Sequence, residues 1–473
     1  MMRRSRKILL AILTFLALSG GLSFATEDSR RVPILHNGRI KPFDAFARQT
    51  LKTISGSERW KGQEATPILL EVIQTPQILI EREWVRVDYE GLKTHLGLPS
   101  DRHFFSLKEL EEVFPKIDAA VKSVKTKRDR DERPSKIEQK SELLYTQIRT
   151  VQHLVSGESL RDFPATGASK LKLDTEVLYL NTKPFQAAAF AYFLSFILLT
   201  LFKRKCLARS LGLGAAILAL LLHTLGILAR VLVLSRPPVS NMYESMIFMN
   251  WALMVFAGVF TLIKKNASAL TVGAFVSAVV MLYGDLLPID ASLDVLVPVL
   301  RSNYWLSVHV MTVVSSYGAF GLAMALGHRH LLAMRFGKFS QKEEVESADL
   351  IYRVIQLGVI MIGTGTFLGG VWANESWGRF WGWDPKETWA LITFLGYLAV
   401  VHLVYTKRMS HFALALCSVL GFLLVLMTWY GVNFVLGRGL HSYGAGTGGM
   451  NWVIYYLIFE AVFVGFILLR KKA

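Results

Sequence analysis

From Phe185 to the C-terminus, long apolar runs alternate with short polar connectors. Nine runs lie near 185–202, 210–234, 244–263, 268–287, 304–327, 349–370, 388–406, 411–432 and 452–469. Each is close to the ~20 residues that carry a helix across a ~30 Å hydrocarbon core. Residues 26–184 have a different texture, polar with modest apolar content. Within them Leu69 to Ile80 and Trp84 to Tyr89 partly alternate, as strands do. Lys116 to Val155 reads as a charged helical stretch broken near Pro134. At the N-terminus a basic start precedes an apolar stretch, Ile8 to Leu18, and a small-x-small site at Ser23-Phe24-Ala25. The pattern predicts an all-α polytopic membrane protein. A signal segment occupies 1–25, with an uncleaved anchor as the alternative. A small α+β extracytoplasmic domain follows over 26–184, then about nine transmembrane helices over 185–473.

Composition supports the membrane class. Hydrophobic residues make up 52% of the 473 and charged residues 19%, against roughly 45–50% and about 25% in soluble domains. Two cysteines exclude a disulfide framework, and with no Cys-x-x-Cys-His the chain is not itself a c-type cytochrome. The net charge of +17 would suit a nucleic-acid binder if it clustered on one soluble face. It does not: residues 26–184 hold 27 Lys/Arg against 24 Asp/Glu. Much of the excess sits in Arg3, Arg4, Arg6 and Lys7 and in alternate connectors. Connectors assigned inside carry 15 Lys/Arg and those assigned outside carry 5, the positive-inside bias of a multi-pass protein. The implied setting is a bacterial inner membrane, with 26–184 on the periplasmic side, the C-terminus cytoplasmic and no nucleic-acid partner. Ser235–Tyr243, Leu287–Asn303, Val371–Glu387 and Asn433–Asn451 then face outward, where loops on a helical scaffold tend to carry function.

The segment near 371–389 stands out. Trp372, Trp377, Trp381, Trp383 and Trp389 are five of the eleven tryptophans, interleaved with Arg379, Asp384, Lys386 and Glu387. An interfacial aromatic belt would spread tryptophans over many helix ends and needs no such polar residues. The pattern better suits a broad aromatic platform for a flat apolar ligand with acidic substituents, met by Arg379 and Lys386. Haem fits, and its iron requires axial ligands such as imidazole. His309, about one and a half turns into its helix, and His441, in Gly437-Arg438-Gly439-Leu440-His441-Ser442-Tyr443, share the predicted outer side. His223 and His402 fall inside spans, where ionisable groups are costly and default to functional candidates. A neutral imidazole bonded to a neighbouring helix is the alternative for each. Mid-span Glu460 could neutralise Arg230 or a histidine, or be protonated. Asp384 and Glu387 are candidate bases, with a helix-start role favoured. Cys206 and Cys417 lie away from the outer side, so a reductant role is not expected.

The run Trp377-Gly-Arg-Phe-Trp381-Gly-Trp383-Asp384-Pro-Lys386-Glu387 resembles the "WWD" signature of haem-handling proteins. With Pro238-Val-Ser-Asn-Met-Tyr243-Glu244-Ser245, Tyr304-Trp305-Leu-Ser-Val-His309-Val and Leu440-His441-Ser442-Tyr443, it resembles the cytochrome c synthetase branch of CcsA/ResC type over about 185–469. The resemblance implies haem b carried outward and held at the WWD segment between His309 and His441, which would be both iron ligands and catalytic positions. Its vinyl groups would be joined by thioether bonds to Cys-x-x-Cys-His of an apocytochrome c. The same resemblance makes His402 a ligand of haem held within the membrane, the opposite ligand coming from a separate CcsB-type membrane subunit, with His223 a possible substitute. Arg379, Lys386 or Arg438 would orient the propionates. Leu35 to Asp44 looks like a feature of fused family members, either a docking element or a stabilising cap. Two other readings are export of haem to a separate chaperone and an assembly scaffold anchored by its tryptophans.

Overall fold

A computed structural model describes residues 27–75, 77–130, 132, 134–158, 164–202, 205–284, 291–294, 302–436 and 449–469. The predicted signal segment therefore lies outside the described residues, as do His441 and Arg438. The chain divides into two compact units, Met1–Leu180 and Asn181–Ala473.

The first unit is α+β. Two short antiparallel hairpins, Pro33–His36 with Arg39–Pro42 and Arg59–Trp60 with Gln63–Glu64, and a further antiparallel pair, Val85–Arg86 with Phe104–Phe105 across the helix Glu90–Leu96, accompany its helices. The Leu35–Asp44 segment is thereby explained locally. Asn37 and Gly38 take positive φ at the hairpin tip, the combination a tight two-residue turn requires. Asp44, in the helix that follows, is buried against Arg48 at 2.9 Å and the Thr66 hydroxyl at 2.6 Å. The strand expected over Leu69 to Ile80 is instead two helices, Ala65–Gln74 and Gln77–Glu81. Ile68, Leu69 and Val72 are buried together at the three-to-four spacing of one helical face, a periodicity that short apolar runs do not separate from alternation. The charged stretch forms Phe114–Asp129 and Lys136–Val155, separated around Pro134 as expected. Ser135 and Glu138 cap the second helix reciprocally. The Lys127 ammonium at 2.9 Å, with the Ser123 hydroxyl, holds the Glu138 carboxyl down to about 2.

The second unit is a helical bundle: α1 Pro184–Leu201, α2 Cys206–Leu234, α3 Met242–Lys264, α4 Ser268–Gly284, α5 Asn303–Arg335, α6 Gln341–Trp377, α7 Pro385–Tyr405, α8 His411–Leu436 and α9 Met450–Leu468. Among the described residues eight of these are long and apolar enough to cross a membrane, and α4, with seventeen residues, is a shorter apolar helix. Helix α5 is central, packing against α3, α4, α6 and α8. Small residues permit that position, as they do wherever membrane helices approach closely. A Cβ on Gly318 would lie 2.5 Å from the Met249 carbonyl oxygen of α3. Phe320 of α5 stacks on Tyr397 of α7 with ring centroids 3.8 Å apart. Near the opposite end of α5 from His309, His328 meets Glu460 of α9 at 3.1 Å, so Glu460 pairs with a histidine. Arg230 pairs elsewhere, with Glu244 of α3 at 2.9 Å.

Candidate functional site

A pocket opens at the end of the bundle where α6 gives way to α7, lined by residues of α3, α5, α6, α7 and α8 and of the stretches before α3 and α7. Its first fixed point is His309. The turn Leu306–Val310 of α5 has π geometry, a local widening common at functional sites. His309 Nδ1 lies 2.7 Å from the carbonyl oxygen of Gly365 on α6. A carbonyl only accepts, so Nδ1 carries the proton and Nε2 is the basic nitrogen, the tautomer a metal-binding imidazole needs. One turn further along α6, a Cβ on Gly369 would sit 2.5 Å from His309 Cε1. Gly369 thus leaves room for the ring, while Gly365 lets the backbone of α6 approach Val313 of α5. Trp372, at 5.7 Å between centroids, packs beside it and is itself buried against Trp305, whose indole donates to Glu375 at 2.7 Å.

The tryptophan segment is more ordered than a loop. Helix α6 runs on to Trp377 and α7 begins at Pro385, so the connector expected over Val371–Glu387 shrinks to residues 378–384. Gly378 ends α6 at φ 69°, the left-handed stop that glycine makes without a Cβ clash. Asp384 accepts the Lys386 backbone N–H at 2.9 Å. Glu387 accepts from the backbone of Gly382 at 2.8 Å and of Asp384 at 3.1 Å. Both carboxylates are thus the start of a helix.

The five tryptophans do not form one platform. Trp372 and Trp381 line the pocket. Trp377 is half-buried under the Arg379 guanidinium, 5.7 Å from its ring. Trp383 adopts φ 56°, is 70% exposed and meets Trp381 edge to face. The Trp389 carbonyl receives the buried hydroxyls of Thr393 and Thr428, joining α7 to α8. Of the two nominated cations, Lys386 lines the pocket, while Arg379 reaches Glu387 at 3.4 Å.

The opposite wall comes from residues that sequence patterns did not single out. Trp429 and Asn433 lie on a second π-helical segment, Met427–Leu436 of α8, and both line the pocket. The Trp429 indole donates to Ser245 Oγ at 2.9 Å, and the Asn433 amide donates to the Trp429 carbonyl at 2.8 Å. Ser245 belongs to the start of α3, which a buried ionic cluster fixes. Glu244 receives Arg230 at 2.9 Å, Arg236 at 2.7 Å and the Ser240 hydroxyl at 2.6 Å. The same guanidinium of Arg230 donates to the Ala291 and Ser292 carbonyls. An aromatic and an amide four residues apart, just before the His441 stretch, were the available signal for Trp429 and Asn433.

The remaining candidates lie apart. His441 and Arg438 are outside the described residues, which resume at Gly449 after Leu436, three residues beyond pocket-lining Asn433. His402 is exposed on α7, roughly 25 Å along the axis from Pro385 at 1.5 Å per residue. It is not brought together with His309. His223 is fully buried, its Nε2 donating to the Ile247 carbonyl at 3.2 Å and its Nδ1 accepting from the Tyr192 hydroxyl at 3.3 Å. Cys206 is exposed and Cys417 half-buried, both free thiols.

Comparison with known proteins matches residues 239–441 to the family described as Cytochrome C assembly protein. That span contains nearly all of the pocket. The chain is 35% identical over 262 residues to cytochrome c biogenesis protein CcsA of Guillardia theta, covering 50% of this chain and 85% of that protein. It is 33% identical over 297 residues to CcsA of Trieres chinensis, covering 54% of this chain and 93% of that one. To Protein NrfI of Wolinella succinogenes it is 39% identical over 235 residues, which is 48% of this chain and a quarter of NrfI.

Proposed function

The chain belongs to the CcsA-type family of cytochrome c biogenesis proteins, and from that premise we propose that it carries haem b across a bacterial inner membrane. The pocket holds it on the periplasmic side for covalent attachment to an apocytochrome c. The observation that carries this reading is the His309 imidazole. Gly365 fixes its proton on Nδ1, and Nε2 belongs to a pocket walled by Trp372, Trp381 and Trp429. His441 would be the second residue to hold the iron. The incoming Cys-x-x-Cys-His replaces one of the two, which places its thiols over the vinyl groups. Each thiol adds across a vinyl double bond, sulfur to one carbon and hydrogen to the other. The protein's part is proximity, worth roughly 7–11 kcal/mol of barrier when both reactants are held in attack geometry.

His402, exposed on α7, suits a ligand completed by another chain, and this supports a separate CcsB-type subunit as partner. The 26–184 segment stands on the periplasmic side in this scheme, and the C-terminus is cytoplasmic.

The test is an absorption spectrum of the purified protein with its partner, alongside maturation of a co-expressed cytochrome c. The wild type shows a Soret band and thioether-linked cytochrome without any separate haem chaperone. His309→Ala loses most of both, and added imidazole restores them in part. A wild type that purifies with no Soret band and takes up no added haem refutes the reading. Haem loading that yields cytochrome only when a chaperone is supplied turns it toward export.

A further inference from the structure

Two hydrogen-bond donors on the pocket wall lack a partner among the described residues, and a third donor, a lysine, lies on the same wall. The Trp381 indole Nε1 and the Thr366 hydroxyl are buried without a hydrogen-bond partner there. Elsewhere in the bundle most such groups are satisfied, although the Thr261 hydroxyl of α3 is also buried without a partner among the described residues. Trp251, Trp305 and Trp429 each donate the indole proton at 2.7–2.9 Å. Thr224, Thr271 and Thr312 each return the hydroxyl to the carbonyl four residues back. The third donor is the Lys386 ammonium. The Asp384 carboxylate attracts this ammonium while also capping the Lys386 backbone N–H, and Glu387 takes two backbone N–H groups and Arg379. Buried donors left unmatched are rare in folded proteins and costly. In a cavity whose other lining is largely aromatic and aliphatic but includes Asn241, Asn433 and the Glu387 carboxylate, they mark where a ligand can bring acceptors.

We propose that Lys386, the Trp381 indole N–H and the Thr366 hydroxyl recognise ionised carboxylates on the rim of the ligand. The pocket then selects planar macrocycles with free acid side chains, independently of the metal they carry. This rests on the reading of the pocket as a haem site and adds its selectivity. His309 addresses the iron from one wall, and the three donors address the periphery from others. Trp381 accordingly contributes a donor as well as a ring face, and Lys386 is the pocket cation where Arg379 is not.

The experiment uses the full chain, purified in detergent, with four probes: iron protoporphyrin IX, zinc protoporphyrin IX and the dimethyl ester of each. Affinity is read as the ratio of ester to free-acid dissociation constants, corrected for the detergent partitioning of each probe measured without protein; comparing the ratio between wild type and variants cancels any remainder. The free acid binds about tenfold tighter than the diester, the scale of one charge-assisted hydrogen bond. Lys386→Met collapses that ratio and Lys386→Arg retains it. Thr366→Val lowers it a few-fold and Thr366→Ser does not. Zinc protoporphyrin and its diester show the same preference, also in His309→Ala, because the donors do not read the metal. Equal binding of acid and ester by the wild type, with normal haem uptake, overturns the inference and assigns the three donors to water, while the haem reading stands. Failure of every porphyrin to bind removes the haem reading itself. Should Lys386→Met prove unstable, the Thr366→Val against Thr366→Ser comparison decides alone.

Discussion

His309 and His223 begin alike. Each sits in an apolar helix, and each donates one ring proton to a carbonyl on a neighbouring helix, Gly365 at 2.7 Å and Ile247 at 3.2 Å. They part at the other nitrogen. The Nδ1 of His223 receives the Tyr192 hydroxyl, and the Phe185 ring stands edge-on to the imidazole at 5.6 Å in a fully buried setting. The imidazole of His309 instead forms part of a pocket wall beside Trp372. A histidine within a span is therefore no guide to ligation by itself. What separates the two is that His309 lines a cavity while His223 is enclosed by protein groups on both nitrogens.

Exchanging the two losses is the sharpest way to break that contrast. His309→Ala is expected to cost nearly all retained haem while the protein remains folded in detergent. His223→Ala is expected to keep haem in the folded fraction and to lower stability by about 1–3 kcal/mol, because the Tyr192 hydroxyl and Ile247 carbonyl lose their partner. Haem content per folded protein and the thermal midpoint, measured on both variants, check this. A His223→Ala protein that is stable but haem-free would reverse the assignment.

Glu244 tests whether the two regions share a support, since α3 carries both the Ile247 carbonyl and pocket-lining Ser245. Removing its carboxylate in Glu244→Ala leaves Arg230 and Arg236 without their shared buried counter-charge. Breaking one side of such a cluster costs about 3–5 kcal/mol. The denaturation midpoint should fall by more than in His223→Ala. Haem retention should fall with it, as Ser245 loses its hold on Trp429. Near-normal stability would mean that α3 is fixed by packing alone.

Much of this arrangement was legible beforehand, for identifiable reasons. Runs of about twenty apolar residues have few alternatives to membrane helices, and in the first unit, α+β as expected, the charged stretch from Lys116 to Val155 read as helix with a break at Pro134. His309, Trp372, Trp381 and Lys386 were named together because the polar residues among the tryptophans had no use in a simple anchor. The extension of α6 to Trp377 was not legible, because Asn374, Glu375 and Ser376 end the apolar run without ending the helix; Glu375 is held by the Trp305 indole, seventy positions earlier in sequence. The two π segments leave no hydropathy period at all. Long-range ionic choices were equally hidden: Arg230 takes Glu244, and Glu460 takes His328, pairings that depend on which helices become neighbours. Whether the five tryptophans act together was also beyond pattern, since Trp383 turns outward and Trp389 serves α8 through its carbonyl.

The finest distinction within the comparison is positional. His309 works only if its ring keeps the orientation that the Gly365 carbonyl sets and Gly369 leaves open, whereas His223 is fully buried. Gly369→Ala places a Cβ where the Cε1 of His309 now lies 2.5 Å away, closer than real contacts allow, so the imidazole or the helix must shift. Overpacking of this kind costs typically 1–3 kcal/mol when a backbone must yield, but a ring bordering a cavity can yield at less cost. The expected result is a protein of nearly normal stability with a several-fold weaker hold on haem and a shifted Soret maximum. Added imidazole should recover the spectrum partly, as in His309→Ala but with a smaller gain. An unaltered spectrum and affinity in Gly369→Ala would mean that the Nδ1 bond to Gly365 sets the ring by itself and the glycine serves only helix approach.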